Sequence, residues 1–160
     1  MDSPVPEVYT RPMERQNERT SIRRAQASDA PGLADLAGQL GYPCEAEEVG
    51  RRIRKYEAGT EKALFVAEKD GRVVGWTSCG IADHFYTPVY AEISGLVVDA
   101  TQRGAGIGAR LIDCAQAWAR GKGVEILRLR ANAIRTEAHR FYLREGFEKK
   151  KTQIVFEKRL

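Results

Sequence analysis

The hydrophobic positions along the chain follow two periods, and the change from one to the other marks the predicted elements. Alternating or continuous short apolar runs predict strands at residues 21–24, 63–68, 72–81, 89–98, 126–131 and 152–160. Apolar positions spaced by three and four predict four helices. These run from Ser28 or Asp29 to Leu40, over 46–58, from the glycine-rich stretch to Lys122, and over 137–145. The order βααβββαβαβ predicts an α+β fold in which helices cover a mixed sheet.

One stretch, residues 92–119, combines a strand, a glycine-rich turn and a helix. Its apolar, β-branched part at 93–98 predicts a buried strand, and Gly104, Gly106 and Gly108 follow a short polar connector. The first N–H groups of a helix lack internal partners and carry partial positive charge, and glycine lets a ligand approach the backbone closely. The pattern therefore favours a site for a phosphate-bearing ligand. The alternative is a tight turn in which the glycines only supply positive φ.

The same glycines fit two other phosphate-binding motifs less well. No Gly-Lys-Ser/Thr follows them, which excludes a Walker loop. Residues 104–109 satisfy the dinucleotide fingerprint GxGxxG/A, but the acidic residue at the expected distance, Glu125, begins the next strand instead of ending it. A dinucleotide-binding enzyme is therefore a weaker hypothesis that stays open.

Two motifs together resemble one known family. Residues 103–108, RGAGIG, are similar to the R/Q-x-x-G-x-G/A acyl-CoA signature of the GCN5-related N-acetyltransferases (GNAT), and residues 138–147 are similar to that family's A-x-x-x-Y-x-x-x-G-F segment. The resemblance covers about residues 21–160. It implies a single acetyl-CoA-dependent N-acetyltransferase domain with the GNAT fold, a mixed, mostly antiparallel sheet of six or seven strands flanked by four helices. The further strand would lie around residues 147–150.

The resemblance also implies catalytic roles for two residues. Glu92, in an otherwise apolar run, is the candidate base that takes the proton of the attacking amine, with Asp83 and His84 in reserve. Tyr142 is the candidate acid for the departing thiolate. The alternative for Glu92 is an exposed or ion-paired glutamate, and for Tyr142 a core tyrosine. None of the three cysteines lies in either motif, so direct transfer is favoured over a cysteine relay.

The predicted acetyl-CoA site combines backbone donors at the end of the strand, the glycine loop and two residues before the last helix. Many relatives carry Asn seven residues before the tyrosine, whereas Arg135 occupies that position here and the nearest asparagine is Asn132. The full set is Leu96, Val97, Val98, Arg103, Gly104, Ala105, Gly106, Ile107, Gly108, Ala109, Asn132 and Arg135.

Composition restricts the remaining function classes. The 160-residue chain carries a net charge of +4, and its basic residues are not interleaved with aromatic ones, so nucleic-acid binding is not expected. The sequence has no apolar run of about 18 residues, so no membrane span is expected. The N-terminus lacks an apolar signal region, which predicts a cytoplasmic protein without a membrane partner. Cys44, Cys79 and Cys114 are widely spaced and predict neither disulfides nor a metal site.

Besides the weaker hypothesis of a dinucleotide-binding enzyme, these features leave two functions of different class. The first is an N-acetyltransferase that acts on a primary amine of a small molecule or peptide, and the second is a non-catalytic acyl-CoA-binding regulatory module. Residues 1–20 contain three prolines and little apolar content, which predicts a flexible N-terminal extension. Because dimers are common in the family, a homodimer is a further expectation.

Overall fold

The computed structural model describes residues 20–160, so nearly all of the predicted N-terminal extension lies outside the described residues. The described chain forms two compact units, one ending at Leu129 and the other comprising Arg130–Leu160. None of the helices in this part of the chain is long and apolar enough to cross a membrane.

The first unit is built on a five-stranded sheet with the strand order β1-β2-β3-β4-β5. The strands are β1 Thr20–Arg24, β2 Lys62–Lys69, β3 Arg72–Ala82, β4 Tyr90–Val98 and β5 Leu127–Leu129. β1 to β4 pair antiparallel, and β5 pairs parallel with β4. The helices of this unit are α1 Ala30–Leu40, α2 Ala46–Ala58 and α3 Ile107–Gly121.

Each face of the sheet is covered by helices, and β3 shows which side chains point to which face. A Cβ added at Gly75 would lie 3.3 Å from Leu111 and 3.4 Å from Ile107, so from Gly75 onward the odd-numbered residues of β3 face α3. Trp76 instead packs against the apolar cluster supplied by α1 and α2, so the even-numbered residues face those helices. Because residues directly opposite in neighbouring strands share a face, the pairing extends this assignment to β4 and β5.

A partly buried salt-bridge cluster connects β1, β2 and the start of α1. The guanidinium of Arg23 donates to the two carboxylate oxygens of Asp29 at 2.8 and 2.9 Å, and its Nε donates to Glu68 at 3.0 Å. Burial alone would raise the pKa of the Asp29 carboxyl. The hydrogen bonds from Arg23 and from the Gln26 backbone outweigh burial, so the pKa is lowered.

The second unit contains α4, Thr136–Arg144, and its end corrects the predicted strand count. Residues 147–160 form neither helix nor strand, and the three alternating apolar residues Ile154, Phe156 and Leu160 are exposed. The predictions of strands at 152–160 and around 147–150 are therefore wrong, and the described sheet has five strands instead of six or seven. Alternation shows only that a segment can pair; a strand also needs a neighbour whose hydrogen bonds complete its ladder.

Candidate active site

The glycine loop forms an open space at the start of α3. Gly104 and Gly106 have φ values of 82° and 76°, in the left-handed region, and a Cβ added at either would meet no atom within 4 Å. Gly106 is the N-cap of α3 and no side chain caps the helix there. The first N–H groups of α3 consequently point toward space that a diphosphate could fill. This geometry fits the phosphate-bearing part of acetyl-CoA.

The loop and first turn divide into exposed and buried residues. Arg103 and Ala105 are exposed, whereas Ile107 and Ala109 are 1% and 8% exposed, with their side chains in the core. Only backbone atoms of these buried residues, and of the half-buried Gly108, can serve a ligand. The apolar residues of this helix are spaced by three and four, as the sequence predicted, and all of them are buried: Ile107, Leu111, Cys114, Ala115 and Trp118.

β4 contains one extra residue near its middle. β3 pairs Ser78 with Gly95 and Cys79 with Ile93, so Ser94 has no counterpart and forms a β-bulge. On its other side, β4 pairs with β5 only from Ala91 to Ile93. The remainder of β4, up to Val98, therefore runs on beyond the end of β5.

The bulge decides which backbone amides face the edge that β5 leaves open. The N–H of Ala91 donates to Ile126 on the β5 side at 2.8 Å, and that of Asp99 donates to Val74 of β3 at 2.8 Å. Because N–H directions alternate along a strand, the N–H of Val97 faces β3, whereas those of Leu96 and Val98 face the open edge. Without the extra residue, the alternation beginning at Ala91 would turn Gly95 and Val97 to that edge instead.

Three consecutive residues of β3 hold the bulge. The hydroxyl of Thr77, which is fully buried, donates to the carbonyl of Gly95 at 3.0 Å. The hydroxyls of Ser78 and Ser94 are hydrogen-bonded to each other at 2.8 Å. The indole of Trp76 lies against Gly95, where an added Cβ would be 2.7 Å from a ring carbon. No pattern in the sequence indicated this arrangement.

Glu92, the predicted base, is half-buried in β4. It lies opposite Gly80 of β3 and opposite Arg128 of β5, two residues before the bulge. Because Gly80 is an even-numbered residue of β3, the Glu92 side chain lies on the face that α1 and α2 cover. The structure therefore places this carboxylate on the same strand as the outward amides of Leu96 and Val98.

The two reserve candidates follow the end of β3. Asp83 is exposed, and the Nε2 of His84 is hydrogen-bonded to the Tyr90 hydroxyl at 3.3 Å. The His84 ring also stacks on Tyr86 at 5.9 Å between centroids. These contacts orient the exposed His84 ring against Tyr90 and Tyr86.

Tyr142 lies on α4, in the second unit. Its half-buried ring packs edge-on against Phe147, with centroids 5.8 Å apart, and lies 5.2 Å from Phe141. Burial raises the pKa of the Tyr142 phenol, and the positive charge of Arg135 offsets part of that rise. The phenol thus keeps its proton to a higher pH than a free tyrosine.

The segment before α4 is folded by its own polar groups. The Asn132 side chain accepts the N–H of Ile134 at 3.1 Å, and its carbonyl accepts the N–H of Arg135 at 3.0 Å and Nε2 of His139 at 2.9 Å. Arg135 is exposed and is the N-cap residue of α4. In this structure the side-chain oxygen of Asn132 stabilises the turn that leads into the helix.

Comparison with known proteins identifies the family. Residues 30–147 match the sequence model of the Acetyltransferase (GNAT) family. The chain is a GNAT protein. It is 40% identical over 84 residues to an aminoalkylphosphonate N-acetyltransferase of Salmonella typhimurium, a match that spans 52% of this chain and 54% of the relative's length. It is 30% identical to an uncharacterised N-acetyltransferase of Chlorobaculum tepidum, over 82% of each chain.

Solved structures confirm the GNAT fold. Glucosamine-6-phosphate N-acetyltransferase from Arabidopsis thaliana superposes with a TM-score of 0.76 at 24% identity, over 88% of this chain and 99% of that one. The predicted α+β GNAT fold is thereby confirmed. At this level of identity, the likeness concerns the fold alone.

Two of the three cysteines of this GNAT chain lie in its core. Cys79 and Cys114 are 1% and 5% exposed, and burial raises the pKa of both thiols to about 12. Neither thiol is therefore suited to act as a nucleophile near neutral pH. Among residues 20–160, no cluster of His, Cys, Asp and Glu is arranged to hold a metal ion.

Arg110 shows how sequence reasoning missed a buried charge. Its side chain is only 6% exposed, and its guanidinium donates to the carbonyl of Thr20 at 2.9 Å. Burial lowers the pKa of its guanidinium. Its position three residues after Ile107, on the buried side of α3, was the available signal.

Proposed function

We propose that this GNAT protein is an acetyl-CoA-dependent N-acetyltransferase that transfers the acetyl group directly to a primary amine of a small molecule. The observation that carries the proposal is the open space at the glycine loop before α3, where Gly104 and Gly106 have φ values of 82° and 76°. Acetyl-CoA, when bound, supplies a thioester carbonyl that an amine can attack. The other predicted binding residues are the exposed Arg103 and Ala105, the backbone of the first turn of α3, and Asn132 and Arg135.

The outward N–H groups of Leu96 and Val98 are the proposed donors that stabilise negative charge developing on the thioester oxygen. Such donors act without reorganisation when a strand already holds their direction. Val97, whose own N–H faces β3, keeps its neighbours in register. These backbone groups explain why the bulge matters, because the extra residue selects which amides face outward.

Glu92 is the proposed base. An amine with a pKa near 10.4 must lose a proton before it attacks, which costs roughly 4.6 kcal/mol at neutral pH. A carboxylate beside the amine, directly or through a water molecule, can accept that proton. Tyr142 is the proposed acid for the departing thiolate, and the mechanism uses no metal ion.

The family match runs from residue 30 to residue 147, across the boundary between the two compact units, which supports one acetyltransferase domain over residues 21–160. The Salmonella relative is named as an aminoalkylphosphonate N-acetyltransferase, which supports a small-molecule amine as acceptor. A peptide amine is the alternative acceptor. A non-catalytic acyl-CoA-binding module is the alternative function.

Acetyl-CoA should raise the melting temperature of the protein, whereas NADH should not. At a hundredfold excess over its Kd, a ligand stabilises the folded state by about 2.7 kcal/mol. Differential scanning fluorimetry with both ligands measures the shifts. Equal shifts would contradict the assignment of acetyl-CoA.

Thiol release from acetyl-CoA across a panel of primary amines then separates an enzyme from a binding module, which would bind acetyl-CoA without turnover.

Thr77→Val should lower kcat about tenfold while leaving the Kd of acetyl-CoA nearly unchanged. Valine has a similar shape but leaves the Gly95 carbonyl without its donor, so the bulge loosens and the Leu96 and Val98 amides lose alignment. Thr77→Ser, which keeps the hydroxyl, should recover most of kcat. If both variants have the same kcat, the hydroxyl does not position the donors, whatever happens to the melting temperature.

Tyr142→Phe should lower kcat roughly tenfold or more and remove any fall in activity at high pH that comes from ionisation of the phenol. The acid must be protonated to act, so activity holds below its pKa and falls as the pH rises through it. Because burial raises the pKa of Tyr142, the wild-type fall should lie above about pH 10, the usual value for tyrosine. Rate profiles of both proteins measure this. An unchanged kcat in Tyr142→Phe would argue for a core tyrosine.

A further inference from the structure

We propose that the acceptor amine also carries an anionic group, and that Arg128, stacked on Tyr90 beside Glu92, binds that group. This inference rests on the proposed function and specifies its substrate class. The acceptor would be a compact amino acid, amino phosphate or amino phosphonate, with its ammonium at Glu92 and its anion at Arg128.

The pairing of β4 with β5 places the two charges side by side. Glu92 lies directly opposite Arg128 in the parallel register, and neighbouring strands are about 5 Å apart. Residues directly opposite each other share a face of the sheet, so both side chains lie on the face covered by α1 and α2. A short molecule can therefore contact both side chains at once.

The guanidinium of Arg128 is oriented by an aromatic ring. Its Cζ lies 4.2 Å from the centroid of Tyr90, a residue that is only 4% exposed, while Arg128 itself is exposed. Within residues 20–160, Arg128 has no hydrogen-bond or ion-pair partner. A stacked guanidinium keeps its N–H donors in the plane of its edges, where they can bind a carboxylate, phosphate or phosphonate through two parallel hydrogen bonds.

A second cation lies on the opposite side of Glu92. Lys62 of β2 is paired with Gly80, which is paired in turn with Glu92. Because Gly80 has no side chain, the stem of Lys62 lies over it, with Cγ 3.5 Å from where a Cβ would be. The Lys62 ammonium is 5.8 Å from the ring of Tyr56. Two cations therefore flank one carboxylate on the same face.

This arrangement discriminates between classes of amine. A polycation would meet Lys62 and Arg128 together and be repelled from both sides of Glu92. An amine without an anionic group would use Glu92 alone and leave the oriented guanidinium without a ligand. An acceptor with one ammonium and one anionic group complements both charges, which is the arrangement that gives charge-based specificity in binding sites.

The test is steady-state acetylation of amines that share a short primary amine arm and differ in the second group. The acceptors are 2-aminoethylphosphonate, β-alanine, ethanolamine and a polycationic aminoglycoside. Each is assayed with the wild type, with Arg128→Gln and with Arg120→Gln. Arg120 is exposed on α3, which covers the other face of the sheet, so this control makes the same change in charge away from Glu92.

For the wild type, kcat/KM should be at least about tenfold higher for the anionic acceptors than for ethanolamine. Arg128→Gln should lose roughly 10- to 100-fold in kcat/KM for the anionic acceptors, mainly through a higher KM, and less than about threefold for ethanolamine. Arg128→Lys, which keeps the charge but not the paired donors, should fall between these values. Arg120→Gln should match the wild type throughout. The ratio of phosphonate to carboxylate turnover distinguishes the two kinds of anion.

Two outcomes separate this inference from the function on which it rests. If ethanolamine or the aminoglycoside is the best acceptor and Arg128→Gln changes nothing, the anion site is wrong while the acetyltransferase assignment stands. If acetyl-CoA binds and no amine in this or a wider panel is acetylated, the proposed function itself fails. Equal losses in Arg128→Gln for acceptors with and without an anionic group would overturn the anion site and indicate a packing role on Tyr90.

Discussion

Gly106→Val should abolish acetyl-CoA binding, with an affinity loss of at least about a hundredfold, while the protein stays folded. In the structure a Cβ at this position would meet no protein atom within 4 Å, so the new side chain would occupy only the space proposed for the diphosphate. Valine at a φ of 76° also carries backbone strain of about 1–2 kcal/mol. Isothermal titration with acetyl-CoA measures the affinity.

The strain needs its own control, and the other end of the same helix provides one. Gly123 has a φ of 73° and equally open space around a Cβ, but it follows the C-terminus of α3. Gly123→Val should therefore lower the melting temperature about as much as Gly106→Val and leave acetyl-CoA affinity intact. Similar losses of affinity in both variants would mean that backbone strain, and not a side chain in the diphosphate space, weakens acetyl-CoA binding. Unchanged affinity in Gly106→Val would contradict the proposal that the diphosphate of acetyl-CoA binds at the glycine loop.

Glu92→Gln should lower turnover by roughly 10² to 10⁴ while leaving acetyl-CoA affinity unchanged. Glutamine keeps the size and hydrogen-bonding capacity of the side chain but cannot accept the amine proton. The loss should shrink as the pH rises toward the pKa of the amine, because a larger fraction of the acceptor is then already deprotonated. Rates for the best acceptor at several pH values measure both effects.

Glu125→Gln is the matched control for charge. Glu125 is exposed just before β5, so this variant makes the same change without touching β4, and its turnover should equal that of the wild type. If Glu92→Gln retains full activity at neutral pH, Glu92 is a structural carboxylate opposite Arg128. The base would then be sought at Asp83, at His84 or in ordered water.

Local patterns were sufficient for the helices and for the order of elements. Apolar spacing alone predicted the four helices, because a helix completes its backbone hydrogen bonds within one segment. Leu33, Leu36, Val49 and Ile53, which carry this spacing in α1 and α2, are buried in the structure. The positive φ values at Gly104 and Gly106 could also be anticipated, because glycine adopts the left-handed region without steric cost. The two motifs at 103–108 and 138–147 identified the family for the same reason, since each lies within one short segment.

The sequence by itself determined the helices, the glycine loop and the GNAT family, whereas the tertiary structure decided what lies beside β4. The bulge at Ser94, its three supports on β3, and the position of Arg128 opposite Glu92 depend on residues distant in the chain. The exposed alternation at 152–160 failed as a predictor of a strand for the same reason. A strand's partners, its register and the direction of each amide are set by pairing between segments, and one extra residue reverses them without changing any local propensity.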